Sequence, residues 1–331
     1  MHQKNILVAL LLGLFISAQS NSQEVLTIED AVKTALENNF NIRLAKNNLS
    51  IDNKNKTLAN AGILPTIDAS FSDVNNRQNV TQTQQNGDQR SLDWNQSLNI
   101  NYGVALNWTL FDGLSMFARY DQLRELEKLG EVELKQAVLT NVGDVYSTYY
   151  DLVQIQQQLA ALDTAIVISK QRVETAKNRY IIGKVSKLEV LNAEVDLNTD
   201  ITAQLAQQEL YANTKIRLNE LIARRIDTDF RVADDITVDN NLLLESLLSL
   251  ASEQNPQLQA QLINKRIAQL QKKITVANRM PRVNFTTGYN WGRSENPAGF
   301  IVQSDFDGLN YGITATLPIF NGLLQSRSEK I

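Results

Sequence analysis

The hydrophobic pattern of the chain contains one stretch that occurs twice. Residues 102–113 read YGVALNWTLFDG and residues 311–322 read YGITATLPIFNG, and in both copies apolar residues fall on every second position. This period of two predicts a strand with one apolar and one polar face. A tilted strand crosses a bilayer in about 9–11 residues, so each copy is long enough to span a membrane. A half-buried strand of a soluble sheet gives the same alternation, so the pattern alone leaves both interpretations open.

Two further strands complete two predicted β-hairpins, at about residues 64–112 and 282–320. The added strands are indicated by alternation at Ile67, Ala69 and Phe71 and again over residues 283–291. Residues 73–95 are polar and rich in Asn, Gln and Gly, which predicts a long exposed loop inside the first hairpin.

Helical patterns surround the hairpins. Residues 26–61 predict a helix that begins at an N-cap, Thr27, and is ended by Gly62 and Pro65. Residues 114–180 contain no proline, and through the later part, from Leu152 to Tyr180, the repeat alternates between spacings of three and four, which is typical of coiled-coil packing. At about 1.5 Å per residue, this helix would be a rod of roughly 100 Å.

The long helix is predicted to reverse at its end. Gly183 suits the left-handed conformation that ends a helix, and Ser186 with Glu189 forms the S-x-x-E pattern of a capping box. A return helix is predicted to run to about residue 225. Its packing side is predicted to carry Leu188, Leu191, Val195, Leu205, Leu218 and Leu221. Its polar side, which includes Gln204 and Gln207, fits either simple solvent exposure or the lining of a water-filled tunnel.

The same order of elements then begins again, which indicates an internal duplication. After a connector at residues 226–240, a helix is predicted at about 242–279, and Pro281 follows it at an offset of 216 from Pro65. The same offset places Asn39 on Asn255. Residues 21–240 therefore form a first repeat. Residues 241–331 form a second repeat that is incomplete, so we expect the complete protein to be longer.

Composition narrows the class of protein. Residues 1–20 have a short positive start, an apolar run and small residues at the cleavage position, which predicts a secretory signal peptide. The chain has no Cys, and its only histidine is His2. Neither a thiol nor an imidazole is then left for a catalytic or metal site. A carboxylate-dependent hydrolase would still be possible, but the Asp and Glu residues are scattered along polar helix faces, so we expect no enzyme activity and no cofactor. The net charge of −4 gives no basic patch for nucleic acid.

Four strands cannot close a barrel, because natural membrane barrels begin at about eight strands. An open sheet in lipid would leave its edge groups without hydrogen-bond partners. If the strands lie in a membrane, the chain must therefore form oligomers. Aromatic residues in or beside the strands are the predicted lipid-facing or girdle positions. They are Trp94, Tyr102, Trp108, Phe111, Tyr289, Trp291, Tyr311 and Phe320.

These features together resemble the TolC-like outer membrane efflux protein family. The resemblance rests on the two blocks that join a proline to Phe-x-Gly, at residues 65–113 and 281–322, and on the segment RYIIGKVSKLEVLNA at residues 179–193. It implies a homotrimer with a twelve-stranded β-barrel in the outer membrane and an α-helical barrel in the periplasm. It also implies an exit duct for a tripartite efflux pump or a type I secretion system. The reversal would contact a periplasmic adaptor that links the duct to an inner-membrane pump. The candidate adaptor contacts are Gly183, Lys184, Val185 and Ser186, and the turn itself also explains Gly183 and Ser186.

Two alternatives remain. A periplasmic adaptor or coiled-coil structural protein would also carry a signal peptide and a helical hairpin, but it would not need two hairpins of membrane length. A truncated channel fragment is the other alternative. The second helical hairpin of the family is absent, so we expect the 331 residues alone not to form a competent channel.

Overall fold

The computed structural model describes residues 25–233, 243–299 and 301–320, together with Gly322 and Ser328. The predicted signal peptide and residues 234–240 of the predicted connector lie outside the described residues. The described elements, in chain order, are β1 (Val25–Leu26), α1 (Ile28–Asn38), α2 (Phe40–Asn55), β2 (Thr66–Thr83), β3 (Gln89–Asp112), α3 (Ser115–Ile181), α4 (Lys187–Leu221), β4 (Arg231–Val232), α5 (Leu244–Gln254), α6 (Pro256–Ala277), β5 (Arg282–Glu295) and β6 (Gln303–Thr316).

The chain divides into two compact units. Unit one contains residues 25–46, 134–233 and 243–253, and unit two contains residues 47–133, 254–299 and 301–320. In the described residues no helix is both long and apolar enough to span a membrane.

Unit one is built on the helical hairpin of α3 and α4. Two short strands, β1 and β4, pair in parallel beside it, and α1 packs against it through Ala31 and Ala35, which are fully buried. The centre of this core is Tyr149, whose side chain is only 1% exposed. Its hydroxyl donates to the carbonyl of Leu26 at 2.9 Å and accepts from the N–H of Ala233 at 3.0 Å. The hydroxyl of Tyr149 therefore links the backbone at both short strands to α3 through hydrogen bonds.

The predicted spacing on α3 is observed. Ile166, Ser169, Val173 and Ala176 are buried at alternating intervals of three and four residues. This is the pattern that a helix shows when one narrow stripe packs along a partner helix.

The predicted packing side of α4 is wrong over most of the helix. Leu218 is buried, but four of the apolar residues are exposed: Leu188, Leu191, Val195 and Leu205. Gln204 instead donates to Asp163 of α3, and Gln207 donates to Gln158 at 2.5 Å. Helix α4 carries a leucine stripe and a more polar stripe with the same spacing. The polar stripe faces α3, because its side chains form hydrogen bonds to that helix. The leucine stripe is left outside.

Unit two contains a four-stranded antiparallel sheet with the order β2-β3-β5-β6. Its strands include the predicted alternating segments. The predicted loop at residues 73–95 is wrong, because β2 and β3 stay paired as far as Thr83 and Gln89. A tight turn at Gln84–Asp88 joins them. Residues 76–97, which we call the ribbon, extend past the last paired row of β5 and β6. A polar composition does not prevent pairing, since backbone groups form the ladder whatever the side chains.

The two helices predicted ahead of the hairpins, at residues 26–61 and about 242–279, are each broken at an asparagine inside the predicted span. Asn39 separates α1 from α2, and its side-chain oxygen accepts from the N–H of Asn41 at 2.8 Å and of Ile42 at 3.2 Å. Asn255 separates α5 from α6 and accepts from Gln257 at 2.8 Å and from Leu258 at 3.3 Å. These two caps are 216 residues apart, as the predicted duplication requires.

The Phe-Asp-Gly motif forms the sharp junction between sheet and helix. Asp112 accepts from the hydroxyl of Ser115 and from the N–H of Met116, and so it caps α3. Gly113 has a φ of +72°, and a Cβ there would lie 2.4 Å from the carbonyl oxygen of Ala277. Only glycine meets both conditions.

Candidate membrane surface and helix tip

The sheet has two chemically different faces. Alternation along the strands and the pairing register together place fourteen residues in an apolar band across all four strands. The band consists of Ile67, Ala69 and Phe71 on β2, Tyr102, Val104, Leu106 and Trp108 on β3, Phe285, Thr287, Tyr289 and Trp291 on β5, and Leu309, Tyr311 and Ile313 on β6.

The large side chains of the band are unusually exposed for apolar groups. Ile67, Phe71, Leu309, Tyr311 and Ile313 are each at least 65% exposed. Phe71 reaches 73% and Tyr311 reaches 77%. A contiguous exposed apolar surface of this kind marks a contact with lipid or with another protein.

Aromatic rings lie toward both ends of the band. At one end Phe71, Tyr102 and Trp291 occupy one row, and the rings of Tyr102 and Trp291 stack with centroids 5.6 Å apart. Toward the other end lie Trp108 and Phe285, and the indole of Trp108 donates to the carbonyl of Ile63 at 2.9 Å. Aromatic girdles of this type flank the apolar belt of membrane barrels.

Charged side chains replace apolar ones from the row of Tyr102 onward, where Asp307 of β6 is in register with Trp291. On the same face, Arg293 donates to Asp305 at 2.7 Å, and Tyr289 donates to Asp307. Asp73 lies in the same row as Arg293. The apolar band therefore ends sharply on the side of the ribbon.

The opposite face of the sheet carries mostly small and polar residues. Asn, Ser, Thr and Gly occupy most of its positions, and Gly103 lies so close to β5 that a Cβ would be 2.3 Å from the side-chain oxygen of Asn290. Phe306 is an exception, and its ring lies against Gly292. We call this surface the polar face.

The structure brings five of the eight predicted girdle residues into the band: Tyr102, Trp108, Tyr289, Trp291 and Tyr311. Phe111 pairs with Val283 beyond a bulge at the junction with α3, next to the band. Trp94 lies on the ribbon, and Phe320 follows the end of β6, so neither belongs to the band. The prediction missed Phe71 and Phe285, whose place in the alternation was the available signal.

The reversal between α3 and α4 is a regular helix-ending motif. Gly183 has a φ of +70°, and its N–H donates to Tyr180 while the N–H of Lys184 donates to Arg179, both at 2.9 Å. This is the Schellman arrangement, so the predicted role of Gly183 in the turn is confirmed.

The predicted capping box is wrong in its side chains. Ser186 occupies the N-cap position, but its hydroxyl makes no capping hydrogen bond. Glu189 instead pairs with Arg179 across the turn, at 3.1 Å. The carboxylate joins the two helices because the arginine offers a charged partner.

Exposed apolar side chains surround the polar apex of the reversal. Gly183, Lys184 and Ser186 are exposed and Val185 is partly buried. Around them Ile181 is 77% exposed, Ile182 64% and Leu188 64%. These three residues were not among the predicted contacts, although two consecutive isoleucines before a helix-ending glycine were a visible signal. We call residues 180–189 the helix tip.

The outer edges of the sheet are open. In the described residues, β2 pairs only with β3 and β6 pairs only with β5. Each outer strand therefore presents a row of backbone groups that can pair with another chain.

Comparison with known proteins gives a consistent family and fold. The family model described as outer membrane efflux protein matches residues 31–224. No curated protein sequence shows significant similarity to the chain.

Among solved structures, a membrane protein from Pseudomonas aeruginosa superposes with a TM-score of 0.71 and 16% identity, over 92% of this chain and 69% of that one. The CmeC outer membrane channel of Campylobacter jejuni superposes with a TM-score of 0.71 and 17% identity, over 92% of this chain and 64% of that one. The open state of the MtrE outer membrane channel of Neisseria gonorrhoeae superposes with a TM-score of 0.63 and 18% identity, over 92% of this chain and 66% of that one. The chain thus spans about two thirds of each of these proteins, and it shares their fold.

Proposed function

Because the chain belongs to the outer membrane efflux protein family, we propose that it contributes to an exit duct in the outer membrane, for a tripartite efflux pump or a type I secretion system. The duct is a homotrimer in which three four-stranded sheets close a twelve-stranded barrel. The apolar band faces lipid, the polar face lines the lumen, and the helices lie in the periplasm.

The observation that carries the proposal is the height of the apolar band. From Val283 to Trp291 on β5 the face is free of charge over nine residues, and the next residue on that face is Arg293. At about 3.3 Å per residue this is roughly 30 Å of strand, and a tilt of about 40° reduces it to roughly 23 Å. The apolar belt of outer-membrane barrels is about 25 Å tall.

Two surfaces support assembly with further copies of the chain. The open edges of β2 and β6 can pair with each other, which removes every edge from the sheet. On α4 the exposed leucine stripe of Leu188, Leu191, Val195 and Leu205 has the spacing of a helix that packs against another helix.

The helix tip is the proposed contact for the periplasmic adaptor, through which the duct meets an inner-membrane pump. Gly183, Lys184, Val185 and Ser186 form the apex, and Ile181, Ile182 and Leu188 add exposed apolar surface around it. An apolar patch with a polar apex is suitable for a protein contact that buries side chains.

Topology labelling tests the proposal. The chain has no cysteine, so single cysteines can be placed without background. Asn86→Cys lies in the turn of the ribbon, and Lys184→Cys lies at the apex of the helix tip. We expect a membrane-impermeant maleimide to label Asn86→Cys in intact cells. It should label Lys184→Cys only after the outer membrane has been made permeable.

Both variants are also checked by fractionation and by heating, since a trimeric barrel gives an oligomer band that dissociates when boiled. Equal labelling of both cysteines in intact cells, or recovery of the unboiled protein as a soluble monomer, would contradict the proposal.

A further inference from the structure

The ribbon contains one residue that neither the band nor the barrel explains. Trp94 is 75% exposed, and it is the only aromatic residue between Asn76 and Ser97. It lies eight residues from Tyr102 along β3, which is roughly 27 Å, and beyond the charged rows. Trp94 is therefore separate from the aromatic girdle.

The backbone at Trp94 is in the left-handed region, with a φ of +53°. This conformation costs a bulky residue about 1–2 kcal/mol. It occurs at a bulge, where the N–H of Trp94 donates to the side-chain oxygen of Asn79 at 2.8 Å. Glycine or asparagine would relieve the strain, so keeping a tryptophan here indicates a use for the ring.

The surroundings of the ring are neutral and rich in amides. Ten of the 22 residues from 76 to 97 are Asn or Gln, and two Arg are balanced by two Asp. Gln78 and Asn79 lie opposite the bulge and are exposed, as is Gln96, whereas Asn95 is buried and donates to Asn296 at 3.2 Å. Amide groups both donate and accept hydrogen bonds, as sugar hydroxyls do.

We propose that Trp94 and the amide side chains beside it form a binding site for a neutral oligosaccharide. The C–H face of a hexose stacks on the indole, and its hydroxyls exchange hydrogen bonds with the amides. The balanced charge of the ribbon disfavours a phosphate or an acidic glycan. A protein partner would need more apolar area than one ring, because Val80 and Leu92 are already paired with each other across the ribbon.

The inference rests on the proposed function only for its location, since the ribbon would then face the cell exterior. Binding itself is measured on the detergent-solubilised full chain, so it can fail or succeed independently of membrane topology. Calorimetric titrations use maltoheptaose, cellohexaose and mannohexaose as neutral probes, and a heparin hexasaccharide as the charged probe.

Two substitutions at Trp94 distinguish the contribution of the ring to binding from that of the backbone conformation. Asn tolerates the left-handed conformation, so W94N keeps the bulge and removes the ring. W94F keeps a ring that can stack. We expect W94N to weaken binding of a neutral probe about tenfold or more, and W94F to change it by about threefold or less. Gln85→Ala, in the turn roughly 20 Å along β2 from Asn79, serves as the matched control and should bind as the parent does.

Circular dichroism and the unboiled oligomer band verify that each variant is folded. Absence of binding to all three neutral probes would overturn the proposal. So would W94N binding as tightly as the parent, or a Trp94-dependent preference for heparin.

Discussion

Tyr149 shows how much of unit one depends on a single polar atom. Its hydroxyl contacts the backbone of Leu26 in β1 and of Ala233, which directly follows β4, in a core where the ring itself is buried. Burial raises the pKa of the Tyr149 phenol above its ordinary value, and the negative charge of Glu29 adds to the rise. The neutral phenol is therefore the form that the folded chain stabilises.

Tyr149→Phe should lower the free energy of unfolding by about 1–3 kcal/mol at neutral pH, because it leaves the N–H of Ala233 and the carbonyl of Leu26 without this partner. The parent should also lose stability as the pH rises above about 10, since the unfolded phenol ionises there and the folded one resists. Tyr149→Phe should lack this contribution. Denaturant titrations at pH 7 and pH 10.5 measure both effects.

Tyr146→Phe is the control for the alkaline effect, because Tyr146 lies on the same helix and is 44% exposed. An alkaline loss of stability that is the same in the parent and in Tyr149→Phe would show that Tyr149 does not contribute to it.

Gly183 and Gly143 form a matched pair of glycines. A Cβ at either position would meet no atom within 4 Å, so only backbone conformation distinguishes them. Gly183→Ala should cost about 1–2 kcal/mol because of its positive φ. Gly143→Ala, inside α3, should instead stabilise by about 0.5–1 kcal/mol. Melting temperatures that shift in the same direction for both variants would contradict this account of the turn.

At the scale of elements, neighbouring residues of β6 have opposite surroundings. Tyr311 lies in the middle row of the apolar band, in register with Thr287, and Asn310 lies on the polar face. Tyr311→Arg should therefore oppose insertion by about 2–4 kcal/mol, which is the cost of an arginine near the middle of the bilayer. Asn310→Arg should have little effect, because its side chain points to water.

The fraction of each variant that floats with outer membranes in a density gradient measures this difference. If both variants insert equally well, the apolar band does not face lipid.

The elements differ in how far the sequence could predict them. Strands with alternating apolar residues were predictable because a period of two is a direct sign of a two-faced sheet. The ribbon was not, since its Asn and Gln residues favour loops and it is held mainly by backbone hydrogen bonds. The breaks at Asn39 and Asn255 were missed because a cap inside a continuous helical pattern leaves no change in hydrophobic spacing.

The orientation of α4 shows a second limit. Its leucine stripe and its polar stripe have the same period, and both fit a partner helix. Val190 and Leu218, with the amide contacts to α3, decide which stripe lies inward. The spacing of apolar residues on a helix is the same whether the helix packs within its own chain or against another copy.

At the scale of the whole molecule, the open edges of the sheet predict how copies meet. A cysteine at Ser70 of β2 and one at Asn310 or Thr314 of β6 place thiols on the polar face of the two outer strands. In membranes, mild oxidation should join neighbouring copies and give bands of up to three chains in at least one pairing.

Asn107→Cys with Thr286→Cys is the control, because these residues are in register on β3 and β5 of one chain. Their disulfide should leave the mass unchanged. Intermolecular bands from the control pair and none from the edge pairs would exclude closure through these edges.

The most direct test of the proposed duct is an accessibility scan of β6. Single cysteines at residues 308–313 carry a spin label, and collisions with oxygen in lipid and with a nickel complex in water are measured in native-like membranes. We expect a period of two, in which residues 309, 311 and 313 favour oxygen and residues 308, 310 and 312 favour nickel. Equal access of nickel to both sets would contradict a sheet whose apolar band faces the bilayer.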